Sequence, residues 1–143
     1  QILSEAARIL RPGGRLIMIE PEVSLLSWII YKHLHPEPLD LNVNPLIDGK
    51  LDPDRDPFES NQAIPHLLMT KYRNQMEKQI PQLKVIEYEK FCPISYLLSG
   101  GFRKWSLLPA SIAPNLLAIE NFIASQISSL SAFRLLAVLE KRA

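Results

Sequence analysis

Two imidazoles and a carboxylate fall within five residues in His33-Leu34-His35-Pro36-Glu37, and Asp40 follows shortly after. An imidazole titrates near neutrality, so His35 is a candidate general base, with Glu37 and Asp40 as substrate-binding groups of a lid. The competing reading is a rigid, proline-flanked loop leaving a helix C-terminus, where histidines suit the dipole. A metal would need further ligands from elsewhere, because the spacing matches no common zinc pattern. Glu20-Pro21 closes the apolar run RLIMIE. In open α/β sheets, ligands gather beyond the carboxyl ends of parallel strands, which makes Glu20 a second catalytic candidate. Alternatively it caps the following helix. Asn61 and Gln62 precede a predicted helix and serve either as caps or as substrate-binding groups.

Other chemistries are excluded by spacing. The five glycines, at 13, 14, 49, 100 and 101, form neither a dinucleotide fingerprint nor a P-loop. The run Asp52-Pro53-Asp54-Arg55-Asp56 alternates carboxylates as a calcium loop does. However, its sixth position is Pro57 and its twelfth Ala63, where a glycine and a bidentate glutamate are required. A short-chain dehydrogenase needs Tyr-x-x-x-Lys, yet Tyr31, Tyr72, Tyr88 and Tyr96 are followed four residues on by His35, Met76, Cys92 and Gly100. Cys92 is the one cysteine and has no sequence neighbour to activate it, so a plain buried thiol in a reducing, cytoplasmic compartment is expected.

The elements that must position these groups alternate in type. Residues 2–10 carry Ile2, Leu3, Ala6, Ala7 and Leu10 at helical spacing, and Pro12-Gly13-Gly14 stops that helix. Residues 15–20 are almost continuously apolar, as in a strand covered on both faces. A short, greasy helix is predicted over 23–34. An amphipathic helix over 62–79 carries the stripe Ile64, Leu67, Leu68, Tyr72 and Met76. LKVIEYEKF (83–91) alternates as a half-solvated strand does. Leu116, Ile119, Ile123, Ile127 and Leu130 mark a further helix, and 133–139 a final buried strand. The implied class is α/β.

Charge is balanced overall, with 16 Lys and Arg against 15 Asp and Glu, which argues against a nucleic-acid partner. It is uneven along the chain. Residues 36–62 hold seven acids and two bases, together with several Pro and Asn, and read as an inserted loop. The longest uncharged run, 105–119, is fifteen residues broken by Pro109 and Pro114, too short for a membrane span. The greasy stretch 91–127 with Arg103-Lys104-Trp105 supports a second expectation, a non-catalytic interaction module with peripheral membrane contact.

Leu10-Arg11-Pro12-Gly13-Gly14, between a helix and RLIMIEP, resembles the class I S-adenosylmethionine-dependent methyltransferases. There a helix ending in L-[RK]-P-G-G feeds the fifth strand of a seven-stranded Rossmann-like sheet. HPEPLD (35–40), SNQAIP (60–65) and LLSGGF (97–102) are similar to the bacterial methyltransferase type 11 group, often linked with polysaccharide or glycolipid synthesis. The resemblance implies strands five, six and seven, at 15–20, 83–91 and 133–139, with the seventh inserted antiparallel between the others. It also implies an acceptor-binding lid over about 22–62 and a substrate loop containing Ser99. The family's glycine-rich cofactor loop and ribose-binding acid correspond to positions upstream of Gln1, so no cofactor-binding residue carries over. Residues 1–143 are therefore expected to be the C-terminal part of a methyltransferase domain acting on a small-molecule, glycan or glycolipid acceptor. S-adenosylmethionine would then serve the intact parent and not bind this chain alone. The partner would be the N-terminal half of the same domain; failing that, the open edge of 15–20 invites homodimerisation.

Overall fold

The turn Arg11-Pro12-Gly13-Gly14 ends the first helix for local reasons. Pro12 has no amide hydrogen, Gly13 adopts φ +75°, and the Gly14 N–H donates to the Arg11 carbonyl at 2.8 Å. Proline second and a positive φ third is what a type II turn demands. A Cβ on Gly14 would lie 2.8 Å from the Arg11 carbonyl oxygen, so the second glycine is required for space. α1 (Ile2–Ile9) thus feeds straight into β1 (Arg15–Pro21). The computed structural model describes residues 1–34, 37–47, 60–91, 95, 98 and 106–142.

The chain continues through α2 (Leu25–Leu34), α3 (Ile64–Met69), α4 (Arg73–Gln79), β2 (Leu83–Phe91), α5 (Ala113–Ser131) and β3 (Arg134–Lys141). The strands form one open sheet in the order β1-β3-β2, with β3 antiparallel to both neighbours. β1 and β2 are therefore parallel to each other and separated by the strand that follows them in sequence. This is an α/β chain with a small three-stranded sheet and flanking helices.

One face of the sheet carries the core. Leu3 and Ala7 of α1, Met69 of α3 and Met76 of α4 pack on Leu83, Val85, Leu135, Ala137 and Leu139. Full burial of a leucine contributes about 1.5–3 kcal/mol, and Leu135 and Leu139 are both fully buried. β3 is apolar on both faces, as befits a strand with neighbours on either side.

Two expectations change. The run 15–20 is not covered on both faces: Leu16 and Met18 join the core, whereas Ile17 and Ile19 are 65% and 62% exposed. Among the described residues β1 is an edge strand with its second face open. The single helix expected over 62–79 is two helices. The Thr70 hydroxyl donates to the His66 carbonyl at 2.6 Å, and the backbone then leaves helical geometry at Thr70 before α4 begins. Such back-bonding competes with helix propagation.

Candidate functional site

The chain between β1 and α2 is fixed by two serines. The Ser24 N–H donates to Ser27 Oγ at 2.7 Å, and the Ser27 N–H donates to Ser24 Oγ at 3.1 Å, the reciprocal arrangement of a capping box with serine in place of glutamate. Ser27 Oγ also donates to the Glu22 carbonyl at 2.8 Å, and the Glu22 N–H donates to the Phe133 carbonyl at 3.0 Å. One turn further along the same face of α2, the Tyr31 hydroxyl donates to the same Phe133 carbonyl at 2.6 Å. The backbone of Glu22 is thereby held just beyond the carboxyl end of β1.

Its side chain is fully buried and meets three donors from two other elements. Nδ1 of His66, on α3, lies 2.7 Å from Oε1, and Lys90 Nζ lies 2.8 Å from the same oxygen. The Tyr88 hydroxyl donates to Oε2 at 3.0 Å. Tyr88 and Lys90 arrive here because β2 contains a bulge. Val85 pairs with Leu139 and Glu87 with Val138, leaving Ile86 as the extra residue. Beyond it, Tyr88 and Lys90 stand opposite Ala137 and Leu135 on the core face, while Glu87 and Glu89 turn outward. Strict alternation from Leu83 would have sent Glu87 and Glu89 toward Glu22 instead. The bulge exchanges two carboxylates for a cation and a hydroxyl, re-aiming side chains as bulges beside functional sites do.

Burial alone would raise the Glu22 carboxyl, but hydrogen bonds from His66 and Lys90, then their charges, outweigh it and hold the group below its ordinary range. Burial pushes the Tyr88 hydroxyl well above its ordinary value, reinforced by the negative charge of Glu22 and the bond to it. Glu22 is therefore an anion and Tyr88 a neutral donor at neutral pH. The cluster sits near the carboxyl ends of the two parallel strands, where α/β sheets gather ligands.

The residues singled out in the sequence are distributed differently. Glu20 is half-buried opposite Leu135 and makes no side-chain hydrogen bond or ion pair among the described residues; Ser24 and Ser27, not Glu20, cap α2. Glu37, Asp40, Asn61 and Gln62 do come together. The Gln62 amide donates to Glu37 Oε2, as does the Ser60 hydroxyl at 3.3 Å. Asn61 Oδ1 accepts from the Asp40 and Ala63 amides at 2.9 and 3.0 Å, and Asn61 Nδ2 donates to the Asp40 carbonyl at 2.8 Å. These groups clasp the two ends of the acidic segment and fix the start of α3, one turn before His66. His35, Ser99, Cys92 and the run 52–56 lie outside the described residues.

Sequence reading passed over Glu22, His66, Tyr88 and Lys90. One signal was available: Glu22 continues the Leu16, Met18, Glu20 face of β1 two residues on. Lys90 and Tyr88 could not be found that way, since the bulge reverses their side.

Among the described residues no group of three or more His, Cys, Asp or Glu is arranged to hold a metal, and no helix is long and apolar enough to cross a membrane. A groove of about 420 Å³ lined by Ser4, Arg8, Gln79, Gln82 and Lys141 lies at the opposite end of the strands and contains no carboxylate or imidazole. Gly13 and Gly14 are at that end too, in the α1–β1 turn. Comparison with protein-family models, curated proteins and solved structures finds no match.

Proposed function

We propose that this chain is the acceptor-side part of a class I S-adenosylmethionine-dependent methyltransferase with a Rossmann-like sheet, acting on a small-molecule, glycan or glycolipid acceptor. The observation that carries the reading is the strand order. Two parallel strands hold an antiparallel one between them, and the first is entered through Leu10-Arg11-Pro12-Gly13-Gly14. The exposed Ile17 and Ile19 and the unpaired outer edge of β1 add support, because a further strand and covering helices would bury them. In this reading the methyl donor is held by a preceding part of the same domain, as the resemblance to the family implies. What these residues contribute is orientation of the acceptor and exclusion of water near the ends of β1 and β2.

The test is calorimetric titration of S-adenosylmethionine into this chain and into the polypeptide extended upstream of Gln1, followed by transfer of a labelled methyl group to glycan and glycolipid acceptors. Micromolar binding and transfer by the extended protein alone are expected. An extended protein that neither binds the donor nor transfers the methyl group overturns the proposal.

The exposed apolar side chains on α2 and α5 favour a second reading, a membrane-surface module. Leu25, Leu26, Ile29, Leu117, Ile119 and Phe122 all face solvent, and the basic Arg103-Lys104-Trp105 precedes α5 in sequence. Co-sedimentation with anionic vesicles tests it; a protein that stays in the supernatant removes it.

A further inference from the structure

We propose that His66 is a general base for a hydroxyl-bearing acceptor, with Glu22 as the positioning residue that fixes its tautomer. The proposal rests on the methyltransferase reading for the identity of the reaction, but the dyad itself is argued from geometry. Glu22 Oε1 receives both His66 Nδ1, at 2.7 Å, and Lys90 Nζ, at 2.8 Å, while Oε2 receives the Tyr88 hydroxyl. A carboxylate only accepts and an ammonium only donates, so the proton between Glu22 and His66 belongs to Nδ1. Neutral His66 is therefore the Nδ1–H form, and its lone pair is on Nε2. Nε2 makes no hydrogen bond among the described residues. No buried side-chain nitrogen or oxygen among them lacks a partner, so Nε2 reaches solvent; the side chain as a whole is 20% exposed.

A carboxylate behind an imidazole whose far nitrogen is open is the arrangement that orients and stabilises a base when it gains a proton. Two further observations restrict the substrate. A hydroxyl is a weak nucleophile until its proton is removed, whereas a thioether has no proton to give. An ammonium acceptor would meet the Lys90 cation, which shares the Glu22 oxygen with His66. In the step assigned to His66, the acceptor O–H bond breaks and the proton bonds to Nε2. The electron pair stays on oxygen, and the positive charge on the ring is balanced by Glu22.

The first measurement is the tautomer of His66 by long-range ¹⁵N–¹H correlation in this chain. Protonated Nδ1 and bare Nε2 are expected in the neutral ring, with carbethoxylation of His66 by diethyl pyrocarbonate detected by mass spectrometry. Loss of the Nδ1–H signature is expected in Glu22→Gln. A neutral His66 protonated on Nε2, or one that resists the reagent, overturns the proposal whatever the fate of the methyltransferase reading. In the upstream-extended protein, His66→Gln should lower kcat by about a hundredfold or more with a hydroxyl acceptor. Donor binding should be unchanged. Unchanged kcat in a protein that transfers methyl groups also overturns it. The dyad signature in a protein that transfers none supports the base and removes the methyl reaction.

Discussion

Two clusters in this molecule are built from the same chemistry, a glutamate with polar partners drawn from distant sequence, yet they differ in what they risk. Glu22 is inaccessible to water, with two of its donors on cationic or imidazole side chains from β2 and α3. The clasp of Glu37, Asp40, Asn61 and Gln62 lies near the surface, and amides and a hydroxyl make the bonds that join its members. A buried charge that loses its partner has nothing to replace it, whereas a surface group exchanges its partner for water. The first cluster can therefore hold a geometry, whereas the second ties residues 37–40 to the start of α3.

The contrast can be broken by substitution. Lys90→Met takes the ammonium from a buried anion that keeps only the His66 and Tyr88 donors, and should cost about 3 kcal/mol in urea denaturation. Glu22→Gln should cost less, about 1–2 kcal/mol, because Lys90 and His66 are partly exposed and can turn to water. If Glu22→Gln costs more than Lys90→Met, the stakes do not lie in desolvation of the carboxylate. The pH dependence sharpens this point. Glu22 is held below its ordinary value of 4.5, so the unfolded chain binds the additional proton in acid. Its contribution is complete above about pH 4.5 and is lost as pH falls through the lowered folded value. Thermal melts should show the gap between the parent and Glu22→Gln closing below pH 4.5. Tyr88→Phe removes one bond to a charged acceptor and should cost about 1.5 kcal/mol. Asn61→Ala, in the exposed clasp, should cost about 0.5–1 kcal/mol, the smallest of the series.

The elements were largely legible because their patterns are local. The Pro12-Gly13-Gly14 stop and the alternation in LKVIEYEKF depend on a few adjacent residues, and β2 spans the predicted 83–91. What failed depended on neighbours. The open face of β1 follows from what is absent beside it, which an apolar run cannot report. The break at Thr70 arises from one hydroxyl choosing a carbonyl over water. The candidate site was the least legible part. His35 and Glu37 drew attention because they are close in sequence, while Glu22 and His66 are separated by forty-four positions and meet only after folding. Even a correct strand assignment would have aimed Glu87 and Glu89 inward, because one extra residue at Ile86 inverts every side chain after it.

The position of β3 has a consequence for how the protein comes into being. β1 and β2 make no strand pairing with each other; each is bonded to β3, which begins more than forty residues after β2 ends. During synthesis β1 and β2 leave the ribosome before β3, and this part of the sheet closes only when β3 arrives. Long-range closure of this kind is slow, and waiting strands are open to association with other chains. Nascent chains halted before Arg134 should therefore be captured by chaperones that bind exposed apolar segments, while chains carried past Lys141 should be released.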